Sequence, residues 1–414
     1  MWGDRQSKGR VVVRRIWAQR VAVRRELAPL EAASYICEHR SINGVRLVTT
    51  RRMALAMQGR APTPQLRDPT GVLAPRGYLF EDLFERKYDE SILDSTPSSK
   101  RHLLPGWVRL AGELHRRCDE YDVIVTWSER VTLALMTLDH FARRGKPHVA
   151  MLYWFSRPSV RIPLRAFGSS LQAIVTWSSV QREYAIERLG IPPEKLYLVR
   201  HFVDQLFWRP REVPVDMICS AGAEMRDYPT LLDALRGTDV RCHIATDHVR
   251  VDDRFGFGHR VTAEAFAPKA SHNVTIGRKG RTELRDLYAR SRFVVVPLQR
   301  SDTDNGVSVI LEAMAMGKPV ICSRTRGQVD VIEEGVTGLF VPVGDSDALR
   351  AAILSLWNDP ERADAMGRAA RAHVEKHHAL DKFCHDVKGA IDASLEGRAA
   401  ARDGSIREAH AAGP

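Results

Sequence analysis

Short apolar, β-branched runs alternate with stretches of helical period along most of the chain. A first series of candidate strands comprises Val11–Val13, Val45–Thr49, Asp122–Thr126, His148–Tyr153, Ala173–Thr176 and Leu196–Val199. A second comprises Asp216–Ser220, Arg241–Ala245, Asn273–Ile276, Phe293–Pro297, Pro319–Cys322 and Gly338–Val341. The helices between them are punctuated. Ser178 with Gln181 reads as a capping box, and Gly190 then Pro192 stop that helix. Pro229 opens another that Gly237 closes, and Leu349, Ala352, Ile353, Leu356 and Trp357 form an apolar stripe at helical spacing. Strands that are apolar throughout, each followed by a helix, imply parallel sheets covered on both faces.

Two such series predict an α/β protein of two facing doubly wound, Rossmann-like domains. Asp204–Pro214, with Pro210 and Pro214 and no periodicity, reads as the connection between them. The expected organisation is a first domain over 1–205 and a second over 206–375. A helix over 376–396 should return to the first domain, followed by a disordered tail over 397–414. Residues 54–120 carry clusters of Pro, Gly and Ser and give no clear elements. Ligands of such sheets bind beyond the carboxyl ends of the strands, so the cleft between the domains is the expected site.

Composition narrows the class. The 414 residues are 44% hydrophobic and 27% charged, which excludes wholesale disorder and a fibrous repeat and suits two domains. No uncharged apolar run approaches the ~18 residues of a membrane span. The Arg-studded start lacks an apolar core and does not read as a secretory signal, so a cytoplasmic location is expected. Lys and Arg number 62 against 51 Asp and Glu, a formal net charge of +11. That favours anionic partners. Much of the excess lies in Arg5, Lys8, Arg10, Arg14, Arg15, Arg20, Arg24 and Arg25: a solvated basic terminus, or peripheral contact with an anionic membrane at its inner face. No zinc-finger, RNP or helix-turn-helix signature is present, so nucleic acid is not an expected partner. The six cysteines are scattered without a C-x-x-C and read as reduced thiols.

The chemistry concentrates in Asp302-Thr-Asp304-Asn305-Gly306-Val307-Ser308-Val-Ile-Leu-Glu312-Ala-Met-Ala-Met-Gly317-Lys318-Pro319-Val. A strand ends in a polar loop that turns at Asn305-Gly306, and a helix follows over Val307–Met316. Its first N–H groups have no partner within the helix and suit an anion such as a diphosphate. Glu312 lies on the same helix, and a carboxylate accepts two hydroxyl protons at once, as a ribose cis-diol requires. Asp304 in the loop reaches another part of such a ligand, or serves only to form the turn. Asp302-Thr303-Asp304 also reads as D-x-D, a metal-binding signature, but the doubly wound context argues against a metal and none is expected.

This segment resembles the retaining family 4 glycosyltransferases of GT-B fold, the glycosyl transferases group 1, in which two acidic residues separated by seven precede E-A-M-A-x-G-x-P-V. The resemblance continues in Gly335-Val-Thr-Gly338-Leu-Phe-Val-Pro342 and Gly344-Asp-Ser-Asp-Ala-Leu349, and upstream in Gly190-Ile-Pro-Pro-Glu-Lys195 and Val203-Asp204, covering about residues 170–390. Where the family usually has Glu, this chain has Asp304. A second element, Ser220-Ala-Gly222-Ala223-Glu224-Met-Arg226-Asp227-Tyr228-Pro229, stands where the family carries two cations for the donor diphosphate. Counted back from Ala234, Arg226 falls on the second; the first is replaced by Ala223, and Lys279 or Arg278 are candidates to contribute. The alternative reading of Arg226 is a surface residue paired with Asp227 or Glu224. The loop Arg324-Thr-Arg326-Gly327-Gln328-Val-Asp330 matches a family loop at a strand end, and the base is expected around Gly277–Lys279.

The first half departs more. The family's glycine-rich loop after the first strand corresponds to Ile16-Trp-Ala-Gln-Arg20, without glycine, and its histidine after the middle strand corresponds to Tyr153 or Trp154. Trp127, Tyr153 and Trp154 stand at strand ends, where aromatics pack on sugar rings or in cores. The resemblance implies transfer of a sugar, of hexosyltransferase type, from a nucleotide diphosphate sugar to an acceptor hydroxyl with retention. The implied catalytic residues are Arg226, Asp304 and Glu312, with the donor held by Gly222, Arg226, Asn305, Gly306, Val307, Ser308 and Glu312. No cofactor beyond that donor is expected, and the acceptor is left open among glycan, lipid and small molecule. The rival readings are a nucleotide-sugar epimerase and a non-catalytic binder of sugar nucleotides or anionic surfaces. A phosphorylase would call for a pyridoxal-binding lysine, and none is recognisable.

Overall fold

The computed structural model describes residues 41–42, 45–46, 51–57, 88–94, 104–251 and 259–411. The basic terminus and the candidate strand Val11–Val13 lie outside the described residues, as does the stretch Ile16–Arg20. The chain divides into two units, Met1–Thr49 and Thr50–Pro414. In the first, β1 (Ser41–Ile42) and β2 (Val45–Arg46) pair antiparallel.

The second unit contains two six-stranded parallel sheets. One is built from β3 (Arg51–Met57), β4 (Tyr88–Asp94), β5 (Val123–Trp127), β6 (His148–Met151), β7 (Ala173–Thr176) and β8 (Leu196–Leu198), in the order β4-β3-β5-β6-β7-β8. The described helices of this half are α1 (Gly106–Arg116), α2 (Glu129–Ala142), α3 (Pro158–Phe167) and α4 (Ser179–Leu189). The other sheet takes β9 (Met217–Ala221), β10 (Cys242–Ala245), β13 (Val274–Ile276), β14 (Ser291–Val296), β15 (Val320–Ser323) and β16 (Gly338–Val341). Its order, β13-β10-β9-β14-β15-β16, places the topological switch between β9 and β14. The helices of this half are α5 (Tyr228–Leu235), α6 (Arg281–Arg290), α7 (Val307–Ala315), α8 (Ser346–Trp357) and α9 (Pro360–His377), and α10 (Leu380–Ala411) follows.

Alternation along the central strands explains why this sheet is covered twice. Val294 and Val296 of β14 join one buried cluster with α7, while Phe293 and Val295 join another with α5 and α8. The connection between the halves is not a free linker: Phe207 and Trp208 are buried in the second half's core, and the Arg285 guanidinium lies 4.3 Å from the Phe207 ring centroid. The chain returns beside this crossing, where the Val203 N–H donates to the His378 carbonyl at 2.9 Å. From there α10 lays Leu380, Phe383, Val387 and Ile391 against strand residues of the first sheet, including Leu55, Val125 and Val175.

Three features differ from expectation. β3, next to the edge strand β4 of the first sheet, reads Arg-Arg-Met-Ala-Leu-Ala-Met, which has helical rather than strand propensity; burial of Met53 to Ala56 makes it a strand. An antiparallel hairpin, β11 (His248–Val251) with β12 (His259–Thr262), stands between β10 and β13. The helix α10 runs on through 397–411, where a disordered tail is expected; that stretch is rich in Ala and Arg, good helix formers that outweigh Gly397 and Gly404. Among the described residues no helix is long and apolar enough to cross a membrane, and Cys118, Cys219, Cys242, Cys322 and Cys384 are buried free thiols.

Candidate functional site

The helix α7 is apolar nearly all round. Seven of its nine residues are buried; the two that are not, Ser308 and Glu312, stand four apart and share one face. That face is the helix's open stripe. No side chain caps its N-terminus, where Gly306 sits at φ +90°. The Val307 N–H is taken by the Asp304 carbonyl at 3.1 Å, which leaves the following N–H groups of the first turn directed outward. Asn305 shapes the loop, its amide donating to Ser301 Oγ at 2.7 Å and its carbonyl accepting from Gln328 Nε2 at 2.7 Å.

Arg226 arrives at the same place from β9. It is 2% exposed, with Nε donating to the Ala221 carbonyl at 2.9 Å and Nη1 to the Glu224 carbonyl at 2.7 Å. A Cβ on Gly222 would lie 2.5 Å from Arg226 Nη2, and one on Gly306 would lie 3.1 Å from Nη1. The guanidinium therefore fits between two glycines, at the switch point and against the start of α7. Among the described residues no carboxylate pairs with it, so it is not the surface ion pair with Asp227 or Glu224 that its neighbours in sequence allow. Its turn inward follows from Met225, which holds φ +53°. The Met225 N–H donates to Arg250 of β11 at 2.8 Å and its carbonyl accepts from Gln299 N–H at 2.9 Å, so the strained residue is pinned on both sides.

The carboxylates are distinct in setting. Glu312 Oε2 accepts from the Tyr288 hydroxyl at 3.1 Å; burial pushes its carboxyl up to about 7, opposed by that hydrogen bond and by Arg281 and Arg226. Asp304 is 7% exposed, and burial pushes it up to about 6, with Asp330 adding to the rise. Its carboxylate is partnered by its own N–H and by Thr303. Asp304 thus organises the loop under the cleft instead of standing open in it. Arg278 sits 3.9 Å from Asp247 on the hairpin side.

The halves meet directly above this loop. Gln181 Nε2 donates to the Asp302 carbonyl at 2.7 Å while its Oε1 accepts from the Ser156 N–H at 3.2 Å; the Ser179 N–H donates to Asp330 Oδ2 at 2.9 Å. Ser178 does cap α4, but Gln181 spends its side chain across the cleft and not on a capping box. Beyond the carboxyl ends of the first sheet, Tyr153 stacks on Trp177 at 5.6 Å and Trp177 on Trp127 at 6.1 Å. Trp177 and Tyr288 are absent from the sequence-based site. Tyr288 belongs to an apolar helical stripe with Leu284 and Leu287 and carries no signal of its own, whereas Trp177, directly after a strand, follows the same rule that picks out Trp127.

Residues 261–373 match the family model of glycosyl transferases group 1. A GDP-mannose-dependent alpha-(1-6)-phosphatidylinositol monomannoside mannosyltransferase of Mycolicibacterium smegmatis is 42% identical over 95 residues, 23% of this chain and 24% of that one. The D-rhamnosyltransferase WbpZ of Pseudomonas aeruginosa is 31% identical over 201 residues, 47% of this chain and 48% of that one. The chain thus spans from about a quarter to half the length of these curated relatives. Among solved structures, HepE of Anabaena in complex with UDP-glucose superposes with a TM-score of 0.61 at 16% identity, over 83% of this chain and all of that one. The fold is GT-B. The family match spans the part of the chain from β12 to α9, and the likeness of fold extends beyond it. The group 1 segment contains Glu312, the α7 N-terminus and Asp304, but not Arg226, which lies ahead of it.

Proposed function

We propose that this protein transfers a hexosyl group from a nucleotide diphosphate sugar to an acceptor hydroxyl, with retention at the anomeric carbon and without a metal ion or further cofactor. The observation that carries the reading is the uncapped start of α7 beside the unpaired, buried Arg226 guanidinium. A buried cation without a carboxylate is costly unless an anion completes it, and the helix start supplies N–H donors and a positive dipole end at the same point.

In this reading the open N–H groups of the first turn of α7, beginning at Ser308, face the diphosphate, with Gly222, Asn305, Gly306 and Val307 shaping the approach. Arg226 stands behind it as the charge that meets the negative charge growing on the leaving group, so that stabilisation is already in place as the bond breaks. Glu312, on the same open stripe, accepts from the ribose hydroxyls once ionised. Asp304 bears on the sugar through the loop it organises. The Gln181–Asp302 and Ser179–Asp330 bonds between the halves close the cleft and exclude water from it.

Calorimetric titration of UDP, GDP, ADP and dTDP into wild type and Glu312→Ala, each with and without EDTA, tests the donor site. One nucleotide is expected to bind wild type equally in both buffers, with Glu312→Ala weakening it at least tenfold. Binding abolished by EDTA, or unaffected by the substitution, overturns the assignment. Turnover in a donor-sugar panel then separates a transferase from a non-catalytic binder.

A further inference from the structure

Beside the α7 start lies a cavity of about 930 Å3. Its walls come from the ends of β14, β15 and β16 and from Trp154 of the first half. Among its lining residues are three arginines, Arg300, Arg324 and Arg326, and one acid, Asp302. Arg324 is committed: it pairs with Glu334 and lies 4.6 Å from the Phe340 ring centroid. Arg300 and Arg326 are exposed, and no carboxylate pairs with either among the described residues. The Asp302 backbone carbonyl is held by Gln181 from the opposite half, which fixes this wall against the cleft.

The two loops that carry these arginines are locked together. A Cβ on Gly327 would lie 2.1 Å from the Thr303 carbonyl oxygen, so only glycine allows the approach, and the Gly327 N–H donates to the Ser301 carbonyl at 3.3 Å. Arg326 and Arg300 therefore stand on a shared rigid base. The cavity lies on the β14–β16 side of the switch point, whereas the base of a nucleotide seated at α7 is expected towards the β10–β13 side.

Resting on the transferase reading above, we propose that this cavity receives the acceptor, and that the acceptor carries a compact anionic group, a phosphate monoester or a carboxylate, gripped by Arg300 and Arg326. The planar guanidinium fork matches either group through paired hydrogen bonds. Two uncompensated cations in a half-enclosed space disfavour a neutral sugar as the sole occupant and attract an anion from solution. Trp154, 8% exposed, supplies an apolar wall for the remainder of the acceptor.

The test is equilibrium binding of glucose 6-phosphate, glucuronate and glucose, and of phosphatidylglycerol vesicles, to the full chain. Wild type is compared with Arg300→Ala/Arg326→Ala and with the Lys/Lys pair at the same positions. The nucleotide selected by the donor experiment is titrated alongside. Glucose 6-phosphate or glucuronate is expected to bind at least tenfold tighter than glucose. The alanine pair should lose that margin, the lysine pair should keep part of it, and nucleotide affinity should change less than twofold. Arginine-dependent binding confined to the vesicles also supports the anion site and assigns the anion to a lipid headgroup. Equal binding of charged and neutral probes, binding indifferent to both substitutions, or no binding of any charged probe overturns the inference. Parallel loss of nucleotide in the alanine pair also overturns it, because the arginines then serve the donor. If no nucleotide binds wild type while glucose 6-phosphate binds through the arginines, the donor reading fails and the anion site stands.

Discussion

Tyr288, in the last turn of α6, donates its hydroxyl to Glu312 Oε2 at 3.1 Å and so sets the state of the one carboxylate on the open face of α7. Burial pushes that carboxyl up to about 7 and the phenol pulls it back. A diol needs the ionised carboxylate as acceptor. Nucleotide affinity is therefore expected to rise between pH 6 and 8 in wild type, and to lose that slope in Glu312→Gln. In Tyr288→Phe the rise should move upward by up to about one pH unit, equivalent to ~1.4 kcal/mol. Calorimetry across this range checks it; a flat wild-type profile would remove Glu312 from the diol.

Asp304 gives a stability prediction of definite sign. Its carboxyl is raised from 3.8 to about 6, and that of Glu312 from 4.5 to about 7. For both groups the folded chain holds protons that the unfolded chain has released, so their contribution is full below pH 4 and is lost as pH rises towards 7. Asp304→Asn should therefore raise the stability at pH 8 by on the order of 1–3 kcal/mol, seen as a higher melting temperature, and change it little at pH 4. Asp304→Glu puts a longer arm into a site already closed and should destabilise at both, by ~1–3 kcal/mol. Scanning calorimetry at the two pH values separates these, and a pH-independent effect of Asp304→Asn would contradict the burial argument.

Arg371 of α9 fixes the crossing between the halves. Its Nη1 reaches the carbonyls of Gln205 at 3.1 Å, Trp208 at 2.9 Å and Ala315 at 2.6 Å, tying the connection to the carboxyl end of α7, where a cation is favoured. Arg371→Ala leaves three carbonyls short of their donor. A loss of about 2–4 kcal/mol is expected, seen as a lowered denaturation midpoint. Arg371→Lys should recover only part, because one ammonium cannot reach these carbonyls and also keep the Glu375 carboxylate, which Arg371 Nε meets at 2.7 Å.

The second sheet was legible because its strands are continuous β-branched runs bounded by Gly and Pro, so Gly338–Val341 coincides with β16, and in the first sheet Ala173–Thr176 coincides with β7 in the same way. The β4–β3 edge of the first sheet was not. Nothing in Arg-Arg-Met-Ala-Leu-Ala-Met marks a strand until neighbours bury it, and Tyr88–Asp94 depends on it for pairing. At the site, the contiguous stretch from Asp304 to Glu312 could be read in one dimension. Contacts made across the cleft could not: Gln181 with Asp302 spans 121 positions, and Tyr288 reaches Glu312 from a different helix. The hairpin β11–β12 that pins Met225 has the same character, since its role lies in the loop it touches.

Gly306 and Gly335 together give the last prediction, because they share a backbone problem and differ in surroundings. Both have positive φ, +90° and +75°. A Cβ at Gly335 would meet nothing within 4 Å, so Gly335→Ala pays only backbone strain, about 1 kcal/mol. A Cβ at Gly306 would meet Val296 Cγ1 at 2.9 Å and Arg226 Nη1 at 3.1 Å. Val296 is locked in the core, so the guanidinium and the start of α7 are what must give way. Gly306→Ala should therefore lower nucleotide affinity by tenfold or more, whereas Gly335→Ala should leave it within twofold at a comparable melting temperature. Equal affinities in the two variants would mean that the contact between Arg226 and the α7 start does not contribute to binding.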